Sequence, residues 1–238
     1  REAQALPTKR KLALQAIRET PQRVANLPNL MMRTMKGAQR LIQYHRQRSE
    51  YSPGPFATEQ TVLNSSLGSK RSFATVTMDF ERIRRIKHFL NVSVNDVILA
   101  LVSGALRDYL KEHQETPSRS LIATVPVSLA VNHGDIHTHG NKLGNIFTSL
   151  CTDVECPIDR IRAIHRASNH AKNVNACMGT ELLHEWTEFI PPLPYQAGVR
   201  LYSDLNLANL HRPPANVIVS NVRGPGQLLS IGGRKLKR

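Results

Sequence analysis

Residues 93–110 constrain the fold more than any other stretch of this chain. They read Ser-Val-Asn-Asp-Val-Ile-Leu-Ala-Leu-Val-Ser-Gly-Ala-Leu-Arg-Asp-Tyr-Leu. Ser93 has the side chain of a helix N-cap, and Asp96 stands three positions later, the spacing of a capping box. Six apolar residues follow without interruption, Val97 to Val102. A helix of that kind is buried around most of its circumference. Its polar start, Asn95 and Asp96, is then either a cap or part of a site, and spacing alone favours the cap. Asp96 also suits the positive end of the helix dipole.

The surrounding chain supplies a core for such a helix. Its 238 residues are enough for one large domain or two small ones. No apolar run approaches the length of about 18 residues that a membrane span needs. The chain begins Arg-Glu-Ala-Gln with no signal peptide, and reads as a fragment or a processed product. The formal charge of +14 is unevenly placed. Residues 1–50 carry 11 Lys/Arg against 3 Asp/Glu, and residues 234–238 carry 4 Lys/Arg and no acid. Between them 17 basic residues face 15 acidic ones. A nucleic-acid binder needs a basic face on the folded body and aromatic groups for stacking. This body is nearly neutral and the aromatic content is 5%, so nucleic acid is excluded as a partner. A cationic end segment fits a membrane surface or an acidic partner domain better. Cys151, Cys156 and Cys177 have no close pairing and read as reduced thiols of a cytoplasmic protein.

Hydrophobic periodicity predicts helices over 9–20 and 29–48, broken between them by Pro21 and Pro28. In the second, Leu30, Met31, Thr34, Met35, Ala38, Leu41, Ile42 and His45 form one stripe, with Arg and Lys on the other faces. This arm is either a linker packed on its own protein or an amphipathic helix lying in a membrane interface. A loop at 51–56 closes it. Ser72–Asp79 alternates like a strand. Residues 80–90 predict a short helix with Ile83, Ile86 and Phe89 or Leu90 inward. Strands follow at Leu121–Val127 and Leu143–Cys151, around a polar loop at 130–141. Further helices are expected at 158–176, 179–190 and 195–207. A short buried strand is expected at Asn216–Ser220, and another starts near 227–231. The class is α/β or α+β, with a mixed sheet flanked by helices.

Three further groups are candidates for chemistry. His133, His137 and His139 share one loop, but lack the helical spacing or cysteine pairing of a metal site, so no metal is expected. No phosphate loop, Gly-x-Gly-x-x-Gly or Gly-x-Ser-x-Gly is present. Gly140, Asn141 and Gly144, just before a strand, fit either a plain turn or close backbone approach. Ser220 and Asn221 end a strand and run into Gly224-Pro225. Strand ends often carry ligand-facing polar groups, although a turn explains the pattern too.

Taken in order, these pieces resemble the C-terminal half of the bacterial wax ester synthase/acyl-CoA:diacylglycerol acyltransferase family. Thr61-Val-Leu-Asn64, Gly68 and Arg71-Ser-Phe-Ala74 resemble its passage into the second domain. Val94-Asn-Asp-Val-Ile-Leu-Ala100 with Gly104-Ala-Leu-Arg-x-Tyr-Leu110 resembles its Asn-Asp helix. Val125-Pro-Val-Ser128 with Gly140-Asn-x-x-Gly144, and then Ser220-Asn-Val-x-Gly-Pro225, resemble the later strands. The basic arm resembles the linker between the family's halves.

The resemblance implies a two-lobed CoA-dependent acyltransferase fold with a tunnel between related halves. Residues 1–50 would be the basic helical linker, and 51–238 the C-terminal domain, cut short at its end. It implies transfer of a fatty acyl group from acyl-CoA to a diacylglycerol or a long-chain alcohol. Acyl-CoA is then a substrate and no cofactor is called for. The family's general base is the second His of His-His-x-x-x-Asp-Gly in the N-terminal half, and that motif is absent from these residues. The expected partner is therefore an N-terminal acyltransferase half, in the same or a separate chain. A peripheral membrane or lipid-body surface is the expected location beside the cytoplasm. The resemblance places Asn95, Asp96, Ser220 and Asn221 on the tunnel wall. Ser93, Gly140, Asn141, Gly144, Gly224 and Pro225 become structural parts of the motifs, with no catalytic residue in the chain. The competing reading is a split or degenerate member that binds lipid, membrane or a partner without catalysis.

Overall fold

The computed structural model describes residues 9–47, 57–65, 70–115, 117–128, 143–178, 186, 192–205, 207, 210–222, 224, 230–231 and 234–235. The chain forms two compact units, each built from three segments. One comprises Arg1–Ser52, Val127–Ile146 and Asn169–Arg212; the other comprises Pro53–Pro126, Phe147–Ser168 and Pro213–Arg238.

The first unit is dominated by α1 (Lys9–Gln47), a helix of 39 residues. The expected break at Pro21 and Pro28 is absent: the helix continues through both. A proline forfeits one backbone hydrogen bond and crowds the turn before it, a cost that does not end this helix. Further along, Leu30 is buried. The Thr34 hydroxyl donates to the Leu30 carbonyl (2.8 Å) and accepts from Trp186 Nε1 (3.1 Å). Tyr44 bonds to the Nδ1 of buried His170 (3.0 Å). Met31, Met35 and Ile42 are more than half exposed. The expected apolar stripe therefore divides into a packed edge and an open edge. A further helix, α5 (Pro192–Asp204), begins with prolines in its first turn, where a missing N–H costs nothing. The helix expected at 179–190 lies outside the described residues apart from helical Trp186.

The second unit carries most of the buried hydrophobic residues. Helix α2 (Phe80–Leu90) is capped by Asp79, whose side chain accepts from the Glu81 N–H. It ends at Asn91, which takes the left-handed conformation (φ 52°) that asparagine tolerates better than most residues. The Val92 N–H closes the turn on the Lys87 carbonyl (3.1 Å). Two residues later α3 (Val94–Glu112) begins, bent by 107° from α2. Ile83, Val92 and Val97 pack together in the elbow, with Leu90, Val94 and Ile161 against them. Leu90 is thus the inward residue of its pair, and Phe89 faces solvent. On α3 itself Val97, Leu99 and Ala100 are buried, while Leu101 is 39% exposed. At Gly104 a Cβ would come 3.1 Å from Nη2 of Arg160, so the glycine leaves room for that buried guanidinium.

Strands β1 (Ile122–Ser128), β2 (Leu143–Ser149) and β3 (Val217–Ile218) form a sheet in the order β2-β1-β3. β3 runs parallel to β1, pairing Ala123 with Val217 and Thr124 with Ile218. The Leu150 N–H bonds to the Leu121 carbonyl (2.8 Å), where the end of β2 meets the start of β1. The sheet is therefore mixed, as expected. Helix α4 (Pro157–Met178) contributes Ile164 to the core, and β1 contributes Leu121 just before it, with Ile122, Ala123 and Val125. A small antiparallel pair, β4 (Ser230–Ile231) and β5 (Arg234–Lys235), matches the strand expected near 227–231.

The strand expected at Ser72–Asp79 does not form. The segment carries no regular structure and is exposed throughout, with Phe73 91% and Val76 84% accessible. Alternation fits a residue run to a pleated surface, but a strand exists only where a neighbour offers its backbone groups, and no described strand lies alongside.

Leu99 has no exposed surface. Leu99→Ala is expected to cost about 2–5 kcal/mol, read as a lower urea midpoint; a loss well below that range would mean α3 is not the centre of this core.

Candidate active site

The polar start of α3 is both a cap and a junction. Ser93, with extended backbone (φ −82°, ψ 159°), accepts a hydrogen bond at Oγ from the Asp96 N–H (3.1 Å). Asp96 Oδ2 returns the bond by accepting from the Ser93 N–H (2.9 Å), which completes the capping box. A cap needs no more than this. Yet the same carboxylate also reaches α4: Oδ2 lies 2.7 Å from His165 Nδ1, and Oδ1 accepts from Ser168 Oγ at 2.6 Å. Asp96 is 1% exposed, as is Ser168.

Burial pushes the Asp96 carboxyl up, because the interior disfavours charge. Hydrogen bonds from His165, Ser168 and the Ser93 backbone and side chain outweigh it, and the group is held below the usual aspartate value. An ionised carboxylate fits these donors, since it only accepts. Asn95, one position earlier, is half-buried. Its amide makes no hydrogen bond among the described residues.

Among the described residues, none of the other sequence candidates is tied to this cluster. Ser220 and Asn221 are exposed just past β3, and no hydrogen bond joins them to the Asp96 cluster. Gly144 lies half-buried in β2. Among the described residues nothing lies within 4 Å of a Cβ placed at Gly224. Gly140, Asn141, Pro225, His133, His137 and His139 lie outside the described residues. Among the described residues no group of three His, Cys, Asp or Glu side chains is placed to hold a metal ion.

Sequence reasoning missed His165 and Ser168. A signal was available: Ile161, Ile164 and Ser168 fall on one helical face, so a serine sat on an apolar stripe where a polar group needs a buried partner. It also missed the clasp beneath β3. There Asn216 Oδ1 accepts from the Ile122 N–H (2.9 Å), and its Nδ2 donates to the Glu59 carbonyl and to Asn64 Oδ1, both at 2.8 Å.

Comparison with known proteins assigns the family. Residues 1–98 match the wax ester synthase/diacylglycerol acyltransferase catalytic domain, and residues 139–238 match the WS/DGAT C-terminal domain. The O-acyltransferase WSD of Acinetobacter baylyi is 34% identical over 184 residues, which is 76% of this chain and 38% of that protein. A Mycobacterium tuberculosis protein provisionally named a diacylglycerol O-acyltransferase is 34% identical over 186 residues, 76% of this chain and 35% of its own length. In structure, the wax ester synthase/diacylglycerol acyltransferase of Marinobacter aquaeolei matches with a TM-score of 0.51 at 25% identity. That match covers 89% of this chain and 43% of that one. The chain belongs to the wax ester synthase/diacylglycerol acyltransferase family, and it spans less than half the length of these relatives.

Since the Asp96 carboxyl is depressed in the fold, its stabilising effect is complete above the ordinary aspartate range and is lost as pH falls through and below that range. Asp96→Asn is expected to cost about 1–3 kcal/mol near neutral pH, with the gap to the parent narrowing as the solution is acidified. Denaturant melts across pH measure this; a gap that stays constant would contradict the ionised role of Asp96.

Proposed function

We infer that this chain is the C-terminal part of an O-acyltransferase that moves a fatty acyl group from acyl-CoA to a diacylglycerol or a long-chain alcohol. The observation that carries the reading is the match of both family domains, in order, with the capped Asn95-Asp96 turn at the end of the first. In this reaction the acceptor hydroxyl oxygen attacks the thioester carbonyl carbon. A C–O bond forms, the C–S bond breaks, and the hydroxyl proton leaves with a general base before the CoA thiolate takes one up. These residues hold no His-His-x-x-x-Asp-Gly to supply that base. Their part is a wall of the reaction site, and the partner is the N-terminal half that carries the histidine. Asn95 is the polar group this chain presents: its amide can donate to the thioester oxygen or accept from the hydroxyl. Ser220 and Asn221, exposed past β3, are assigned to the same wall.

The working location is the cytoplasmic face of a membrane or lipid body. On α1, Met31, Met35 and Ile42 share one open edge, while Arg33, Lys36 and Arg40 occupy the opposite side. An apolar edge backed by cations suits an anionic lipid surface.

Two experiments test the reading. The chain alone, offered acyl-CoA and diacylglycerol or hexadecanol, is expected to give no ester, and ester is expected when an N-terminal family half is supplied. Ester from the chain alone would overturn the division of labour; none from the joined halves would overturn the assignment. For the membrane, vesicles containing phosphatidylserine are expected to float the chain but not a Met31→Ser, Met35→Ser, Ile42→Ser variant; equal flotation would remove α1 from the lipid surface.

A further inference from the structure

We propose that His165 and Ser168 are positioning residues of the acyltransferase site: they grip Asp96 so that it anchors the first turn of α3, and Asn95 is left as the member of the pair that meets substrate. The activity readout rests on the acyltransferase reading; the structural readout does not.

The Asn-Asp pair divides by geometry. Asp96 is 1% exposed, and both its oxygens are engaged by donors from Ser93, His165 and Ser168. A carboxylate so enclosed cannot also receive a proton from an acceptor hydroxyl, and no substrate reaches it. Asn95 has the complementary properties: it is half-buried, and its amide makes no hydrogen bond among the described residues. Such an amide is incomplete until something pairs with it.

Capping does not explain the α4 residues. Ser93 and Asp96 satisfy the helix start by themselves, and an alanine at 168 would leave that cap whole. What the two α4 donors add is a fixed relation between α3 and α4 at the turn that carries Asn95. Apolar packing alone tolerates small sliding and rotation. Two short hydrogen bonds to one ionised group tolerate much less. A side chain aimed at reacting atoms needs that precision, because an error of about 1 Å can cost on the order of a hundredfold in rate.

The test uses four variants: His165→Ala, His165→Asn, Ser168→Ala and, to assign its amide signal, Asn95→Asp. His165→Asn keeps an N–H donor near the place of Nδ1. In the chain itself, the Asn95 side-chain amide signal in a proton–nitrogen NMR spectrum is expected to shift and broaden in His165→Ala and Ser168→Ala, and to return toward the parent position in His165→Asn. With the N-terminal half supplied, His165→Ala is expected to lower kcat roughly ten- to a hundredfold with little change in KM for acyl-CoA, and His165→Asn to recover most of it. An Asn95 signal unmoved in folded His165→Ala or Ser168→Ala overturns the proposal, as does loss of melting temperature with kcat intact. If His165→Ala does not fold, Ser168→Ala and His165→Asn decide by the same readings. If even the parent protein makes no ester, the acyltransferase reading has failed and the amide signal alone judges the positioning role.

Discussion

The buried carboxylate of Asp96 is the joint on which the second unit depends. An ionised group in an apolar interior is tolerated only when its oxygens are bonded. Here the donors come from both sides of a helix packing: Ser93 at the start of α3, and His165 and Ser168 on α4. Ile161 of α4 packs against the cluster of Ile83, Val92 and Val97, and apolar packing of this kind does not choose one register. The carboxylate chooses it, because its donors meet it in a single arrangement. One residue thereby caps a helix, fixes a packing angle and sets the direction of the neighbouring Asn95.

A second polar clasp does for the sheet what Asp96 does for the helices. β3 offers only two residues to β1, too few to hold a strand by ladder bonds alone. Asn216 extends the pairing. Its N–H bonds to the Ile122 carbonyl, and its side-chain oxygen accepts from the Ile122 N–H, so one residue supplies both halves of an extra rung. Its amide then reaches Glu59 and Asn64, which ties the segment after the helical arm to the strand. The start of β3 is thereby held against β1.

The elements legible in the sequence were those that a local pattern specifies. The capping box at Ser93 and the short helix at 80–90 follow from local chemistry. The expectation at Ser72–Asp79 failed because its outcome depends on a distant group. Ser72–Asp79 has the alternation of a strand and lacks a partner backbone. The choice left open between Phe89 and Leu90 is decided by the elbow, where Leu90 packs against Ile83, Val92 and Val97. Pro21 and Pro28 read as breaks because proline weakens a helix, yet α1 passes through both.

The site divides along the same line. Sequence order determined the family, the capped Asn-Asp turn and the absence of a His-His-x-x-x-Asp-Gly base from these residues, because motifs are local and their order survives without coordinates. Only the tertiary structure decided that Asp96 is sealed while Asn95 remains half-accessible. The reason is physical. The residues that enclose Asp96 lie 69 and 72 positions away on another helix. Nothing in the spacing of Ser93 to Asp96 records whether a carboxylate that suits a cap also has donors waiting across the core.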